Sequence, residues 1–144
     1  MAEQHSYQHK VQYYETDQMG IVHHSNYIRW FEEARTDFLE KIGLSYYSIE
    51  QAGIISPVLS AECKYKSKVK YGETVTIETK MIQYTGLRMR IRYAVYGSDG
   101  KLRSTGETSH CFVNDKGRPV SLKKVKPEWD ELFSKYLEEP SKTN

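Results

Sequence analysis

The chain has 144 residues and a net charge of +2 with a pI near 8.4, which suits one domain around a single core and is too mild to argue by itself for nucleic acid. Hydrophobic content of 38% and a mean hydropathy of −0.71 are low, and twelve Tyr residues offset this because each buries a ring while keeping a polar tip. Two Cys, no apolar run near the ~20 residues of a membrane span, and no basic or apolar leader in Met1-Ala2-Glu3-Gln4-His5 point to reduced thiols and a cytoplasmic protein.

Gln8 to Tyr14 reads as a first strand, with Val11 and Tyr13 alternating with Lys10 and Gln12. A turn containing Gly20 follows. From His24 to Ile42, Tyr27, Trp30, Phe31, Ala34, Phe38 and Ile42 recur at three- and four-residue steps and predict a long amphipathic helix, stopped by Gly43. Ser45 to Ala52 predicts a second short helix closed by Gly53. The remainder is β-rich. Leu59 to Val69 alternates, with Ala61, Cys63, Tyr65 and Val69 on one face and Lys64, Lys66 and Lys68 on the other. Thr74 to Ile82 is a strand. Met89, Ile91, Tyr93 and Val95 then alternate with Arg88, Arg90 and Arg92. Gly97-Ser98-Asp99-Gly100 is a hairpin turn, and Leu102 to Asn114 is the last long strand. Pro127 to Leu137 predicts a terminal helix, and 138–144 a frayed tail.

This order predicts an α+β fold in which an antiparallel sheet packs on one long helix, all within a single domain over 1–144. One helix covers only part of a sheet face. The remaining edges and surface call for a homodimer or homotetramer.

The segment from Tyr13 to Tyr27 carries the chemistry. Asp17 sits on the Gly-containing turn, and the long helix begins seven positions later. That arrangement aims a carboxylate at the unpaired N–H groups of a helix start, which can hold a developing oxyanion. Acyl-group hydrolysis is the reaction it fits. Asp17 could attack the carbonyl or activate water. A backbone N–H near His24 would be the oxyanion donor. The competing reading of Asp17 is a turn-capping carboxylate.

Tyr13-x-Glu15-Thr16-Asp17-x-Met19-Gly20-x-Val22-x-His24-x-Asn26-Tyr27, followed by Trp30-Phe31-Glu32-Glu33-Ala34-Arg35, closely resembles the signature of hotdog-fold acyl-CoA thioesterases of the 4-hydroxybenzoyl-CoA thioesterase type. The resemblance implies a five-stranded antiparallel sheet wrapped around one long central helix. It also implies an acyl-CoA substrate, no metal and no redox cofactor, coenzyme A being part of the substrate. Asp17 matches the family's catalytic carboxylate. Tyr13 and His24 match positions that orient substrate or water in related enzymes, and Asn26 falls in the same motif. For Tyr13 a core-facing strand residue weighs equally, and for His24 a helix-start residue does.

Several other groups invite a role. Glu32 and Glu33 project away from the apolar stripe and are read as solvated or paired, leaving a weak rival to Asp17. Lys64, Lys66, Arg88 and Arg90, with Lys68 and Arg92, form either a solvated face or a basic rim for the phosphates of coenzyme A. Arg118 in a Gly-Arg-Pro turn is a further phosphate candidate. Cys111 and His110 are adjacent on a strand and point to opposite faces, which argues against a nucleophile pair. His23 and His24 are expected to diverge, with no ligand set around them. Three alternatives to a CoA thioesterase carry forward. One is a non-catalytic acyl-CoA-binding module. Another is a thioesterase acting on acyl carrier protein, whose pantetheine arm is the same. The third, a nucleic-acid surface made of the basic strands and Tyr rings, is weakened by the near-neutral charge.

Overall fold

The computed structural model describes residues 5–138. Along the described chain run β1 (His5–Lys10), α1 (Ser25–Lys41), α2 (Tyr46–Gln51), β2 (Ile54–Ile55), β3 (Val58–Tyr65), β4 (Thr74–Tyr84), β5 (Arg88–Tyr96), β6 (Leu102–Cys111), β7 (Val113–Asn114), α3 (Leu122–Val125) and α4 (Pro127–Tyr136). A five-stranded antiparallel sheet has the order β1-β4-β5-β6-β3, and β2 pairs with β7 in a separate two-stranded ribbon.

The long helix forms where the apolar stripe predicts it. Tyr27, Trp30, Phe31, Ala34 and Phe38 are all buried against the sheet, and Gly43, at φ 98°, turns the chain away. Phe31 stacks on Tyr93 of β5, with ring centroids 4.4 Å apart and planes 7° from parallel. Gly106 of β6 makes that approach possible, since a Cβ there would meet Phe31 Cε2 at 2.3 Å. On β4 and β5 the strict alternation of the sequence becomes strict alternation of burial: Val75, Ile77 and Met81, like Met89, Ile91, Tyr93 and Val95, all face the core. Each such side chain contributes about 1.5–3 kcal/mol of burial free energy.

Four expectations are corrected. The first strand ends at Lys10, and Tyr13 lies in a 3-10 turn over Tyr13–Glu15, 75% exposed rather than core-facing. The cause is local: the Glu15 N–H bonds back to Gln12 O and the Gln12 N–H donates to the Glu15 carboxylate. The strand from Leu59 stops at Tyr65, so Val69 is buried in a loop instead of extending the ladder. The last long strand stops at Cys111, and Val113–Asn114 belongs to the small ribbon. Of the tail expected to fray, 139–144 lies outside the described residues, whereas Glu138 donates its N–H to Met81 O at 2.8 Å. The short helix α3 was not anticipated.

β3 stands apart from the other strands. It is one of the sheet's two edges, and of its eight residues only Cys63 is even half-buried. Val58, Leu59 and Tyr65 are exposed.

Candidate active site

Asp17 sits at the tip of a small hairpin. Its N–H donates to Ile21 O at 2.9 Å, its carbonyl accepts from Gly20 N at 3.0 Å, and its Oδ1 accepts from Met19 N at 2.8 Å. These bonds fix the carboxylate, and Gly20 takes φ 76° to close the turn. Asp17 Oδ2 accepts no hydrogen bond from the described residues. The carboxylate is thus both a turn acceptor and, on one oxygen, open.

The helix start lies alongside. His24 precedes Ser25 as the helix cap, with no side-chain cap. Its carbonyl accepts from Tyr27 N and from the Tyr65 hydroxyl at 3.2 Å. Among the described residues the His24 N–H donates to no partner. Asp17, Ile21, Val22, His24, Tyr27 and Tyr65, with His23 and Lys66–Lys68, line one cleft of about 370 Å³. Burial, with the neighbouring Cys63 and Tyr65 adding, lifts the Tyr27 phenol to about 12, so it stays protonated across the ordinary pH range.

Lys66–Lys68 reach this cleft because the chain leaves the sheet after Tyr65. Lys66 N and Ser67 N both donate to Arg103 O, and Val22 N donates to Val69 O at 2.8 Å. Arg103 holds the wall from behind, donating to Lys68 O at 2.7 Å while pairing with Glu73 and Asp99 at 3.2 and 3.0 Å.

The expected site residues therefore divide. Asp17, His24 and Lys66 come together in one cleft, with Lys68 beside them. Tyr13 does not line it and packs edge-on against Tyr71. Asn26 is buried, and its Nδ2 donates to Glu15 O at 2.8 Å and His23 O at 3.2 Å, so its amide joins two stretches of backbone. Lys64 lies in a different groove with Glu62, Arg92 and Glu107. Arg88 and Arg90 are exposed on the outer face of β5, where Arg90 is 3.8 Å from Glu107. Arg118 is exposed, outside the cleft.

Glu33 accepts from Tyr7 OH at 2.8 Å and, with Glu32, lines a separate groove with Arg29, Asp37 and Glu40. His110 is fully buried and Cys111 half-buried. Arg35 Nη1 donates to His110 Nδ1 at 2.8 Å, so Nε2–H donates to Thr108 Oγ1 at 2.7 Å. Burial, and then the Arg35 charge, hold the His110 pKa down to about 3. His23 and His24 do not diverge as expected: their rings pack with centroids 4.2 Å apart. No group of three or more His, Cys, Asp or Glu able to hold a metal occurs among the described residues. No helix among the described residues is long and apolar enough to cross a membrane.

One residue escaped the sequence reading. Glu15 is only 4% exposed, yet its carboxylate accepts from Gln12 N, His9 Nε2 and Trp30 Nε1. Its place inside the motif, two residues before Asp17, was the available signal.

A family model described as thioesterase-like superfamily matches residues 11–135. A Bacillus subtilis protein described as the putative acyl-CoA thioesterase YneP is 35% identical over 127 residues, covering 88% of this chain and 92% of its own. A crystal structure described as a DHNA-CoA thioesterase from Staphylococcus aureus superposes with a TM-score of 0.89 at 36% identity, over 92% of this chain and 89% of that one. The 4-hydroxybenzoyl-CoA thioesterase of Pseudomonas shares the fold, with a TM-score of 0.80 at 23% identity over 91% of this chain and 99% of that one. The family match, the identity to these relatives and the sheet wrapped on α1 agree: the chain belongs to the thioesterase-like superfamily and is a thioester hydrolase with the hotdog fold.

Proposed function

We propose that this enzyme hydrolyses acyl-CoA to a free acid and coenzyme A, with Asp17 as the reacting carboxylate and the His24 N–H as oxyanion donor. The observation that carries the reading is a single cleft lined by both Asp17 and the start of α1. Two routes use the same atoms. As nucleophile, an Asp17 oxygen bonds to the thioester carbon, the thiolate leaves, and water opens the resulting anhydride. As general base, Asp17 takes a proton from water, whose oxygen bonds to the carbon as the thiolate leaves. In both, negative charge grows on the carbonyl oxygen, where a backbone N–H donor is typically worth about 3–4 kcal/mol. Neither route calls for a metal or redox cofactor.

Ile21, Val22, Tyr27 and Tyr65 supply an apolar lining for the acyl end, aliphatic or aromatic. Lys66 and Lys68 form the basic rim for the nucleotide phosphates of coenzyme A, in place of the more distant Lys64, Arg88 and Arg90. The exposed Val58, Leu59 and Tyr65 on the open edge of β3 support a homodimer or homotetramer joined there. Sedimentation should then give at least twice the 16.9 kDa chain mass.

Thiol release from a panel of short, long and aromatic acyl-CoAs tests the activity. Each panel member is run beside its acyl-pantetheine and its acyl carrier protein ester. Turnover of acyl-CoA with a KM about 3- to 10-fold below that of acyl-pantetheine is expected if the rim holds phosphate. Turnover of the carrier-protein ester alone would transfer the substrate to that class. Absence of turnover with every ester would favour a non-catalytic binding module.

A further inference from the structure

The Asp17 hairpin and the start of α1 are separated by only a few residues, and the hairpin is closed at its base between Glu15 and His23. That connection passes through Glu15. Its carboxylate faces inward, with Oε1 accepting from Gln12 N at 2.7 Å and from His9 Nε2 at 2.9 Å, and Oε2 accepting from Trp30 Nε1 at 2.7 Å. His9 belongs to β1 and Trp30 to the second turn of α1. The backbone of the same residue closes the base of the hairpin. Glu15 O accepts from His23 N at 2.9 Å and from Asn26 Nδ2 at 2.8 Å, and Asn26 Nδ2 also reaches His23 O. One residue thus ties β1, the turn before Asp17, the residue before His24 and the helix.

We infer that Glu15 is a positioning residue for thioester hydrolysis: its buried carboxylate locks the turn onto Trp30 and His9, and so sets the distance between the Asp17 carboxylate and the His24 N–H. The inference rests on the reading of Asp17 and His24 given above. The carboxylate suits the task because all its partners donate, and an anion accepts several donors at once with short bonds. Burial opposes its charge, but the Gln12 N–H, the His9 ring and the Trp30 indole outweigh that and hold its pKa below the ordinary value. Charge and geometry therefore persist at neutral pH. Asn26 extends the same clamp, which accounts for its burial.

The neutral isostere disturbs this arrangement. Glu15→Gln turns one oxygen into an NH2 that must face a Gln12, His9 or Trp30 donor. The turn then shifts. Misplacement of a reacting group by about 1 Å costs on the order of 100-fold in rate. A residue holding reactants in register affects kcat more than KM, whereas a residue that only stabilises the fold lowers the melting temperature and leaves kcat unchanged well below it.

The test is a double-mutant cycle on kcat for the best acyl-CoA substrate, using Glu15→Gln, Asp17→Asn and the double variant, with melting curves for each. Glu15→Gln should lower kcat by about 30- to 100-fold with KM within about 2-fold. In the Asp17→Asn background the same change should cost less than about 3-fold, because its effect passes through Asp17. Trp30→Phe, which removes one donor and leaves the charge, should lower kcat about 10-fold and serves if Glu15→Gln does not fold. Full kcat in Glu15→Gln, or equal losses in both backgrounds, overturns the inference while leaving Asp17 in place. Full activity in Asp17→Asn overturns both.

Discussion

Two carboxylates lie two residues apart on the same turn and live in opposite surroundings. Glu15 is buried, and its oxygens answer a backbone N–H, a His and a Trp indole. Asp17 is half-exposed in a cleft, with one oxygen held by Met19 N and the other open. The first carboxylate has the surroundings of a fixed support and the second those of a reagent. Residue type cannot separate them, since both are acids beside one glycine turn. What separates them is the count of donors aimed at each.

Removing the support should produce the largest change in stability. Glu15→Ala removes the acceptor of the buried Trp30 indole and of the part-buried Gln12 N–H and His9 ring, and should destabilise the fold by about 3–5 kcal/mol in urea titration. A loss under about 1 kcal/mol would mean that water replaces the carboxylate freely.

Acid should attack the buried groups next. Between pH 6.5 and about 3 the unfolded chain protonates His110 while the folded chain does not, so stability falls as pH drops through that window. Glu15, with its folded pKa lowered, adds stability that is present above 4.5 and is lost as pH falls further. Melting temperature should therefore decline steadily from pH 7 to 4, and His110→Gln should flatten the upper part of that curve. A flat wild-type profile would contradict the buried, neutral imidazole.

The open side should respond in binding rather than in folding. Lys66→Ala and Lys68→Ala should each raise KM for acyl-CoA by about 2- to 5-fold and leave acyl-pantetheine unchanged. Arg88→Ala and Arg90→Ala should leave both substrates unaffected, because these side chains stand on the outer face of β5, outside the cleft. Smallest of all is the stability effect of Asp17→Asn, expected within about 0.5 kcal/mol since the amide oxygen still accepts from Met19 N. A much larger change would make Asp17 a second support.

The helix, its Gly43 stop and the alternation of β4 and β5 were legible because local periodicity decides them. The Asp17 turn was legible for a different reason: its residues, with those of the helix start, resemble a family signature, whereas taken alone Asp17 reads equally as a turn cap. The walls of the cleft were not. Tyr65 meets His24, and Val69 meets Val22, through pairings 41 and 47 residues apart that no local pattern encodes. Lys66 and Arg90 also look alike in sequence, each on an alternating basic strand. Only the exit of the chain from the sheet after Tyr65 sends one to the cleft and leaves the other outside. The 3-10 turn at Tyr13 was hidden because it depends on the Glu15 side chain folding back on Gln12.

The central claim is that the open carboxylate is the reagent, and kcat for thiol release by Asp17→Asn tests it most directly. Both variant and wild type are measured on the best acyl-CoA, with matching melting curves. A loss of at least ~100-fold, equivalent to about 2.7 kcal/mol of barrier, is the result the account predicts. Activity within a few-fold of wild type in a folded variant would contradict it and move the chemistry to another group, with Glu33 tested next.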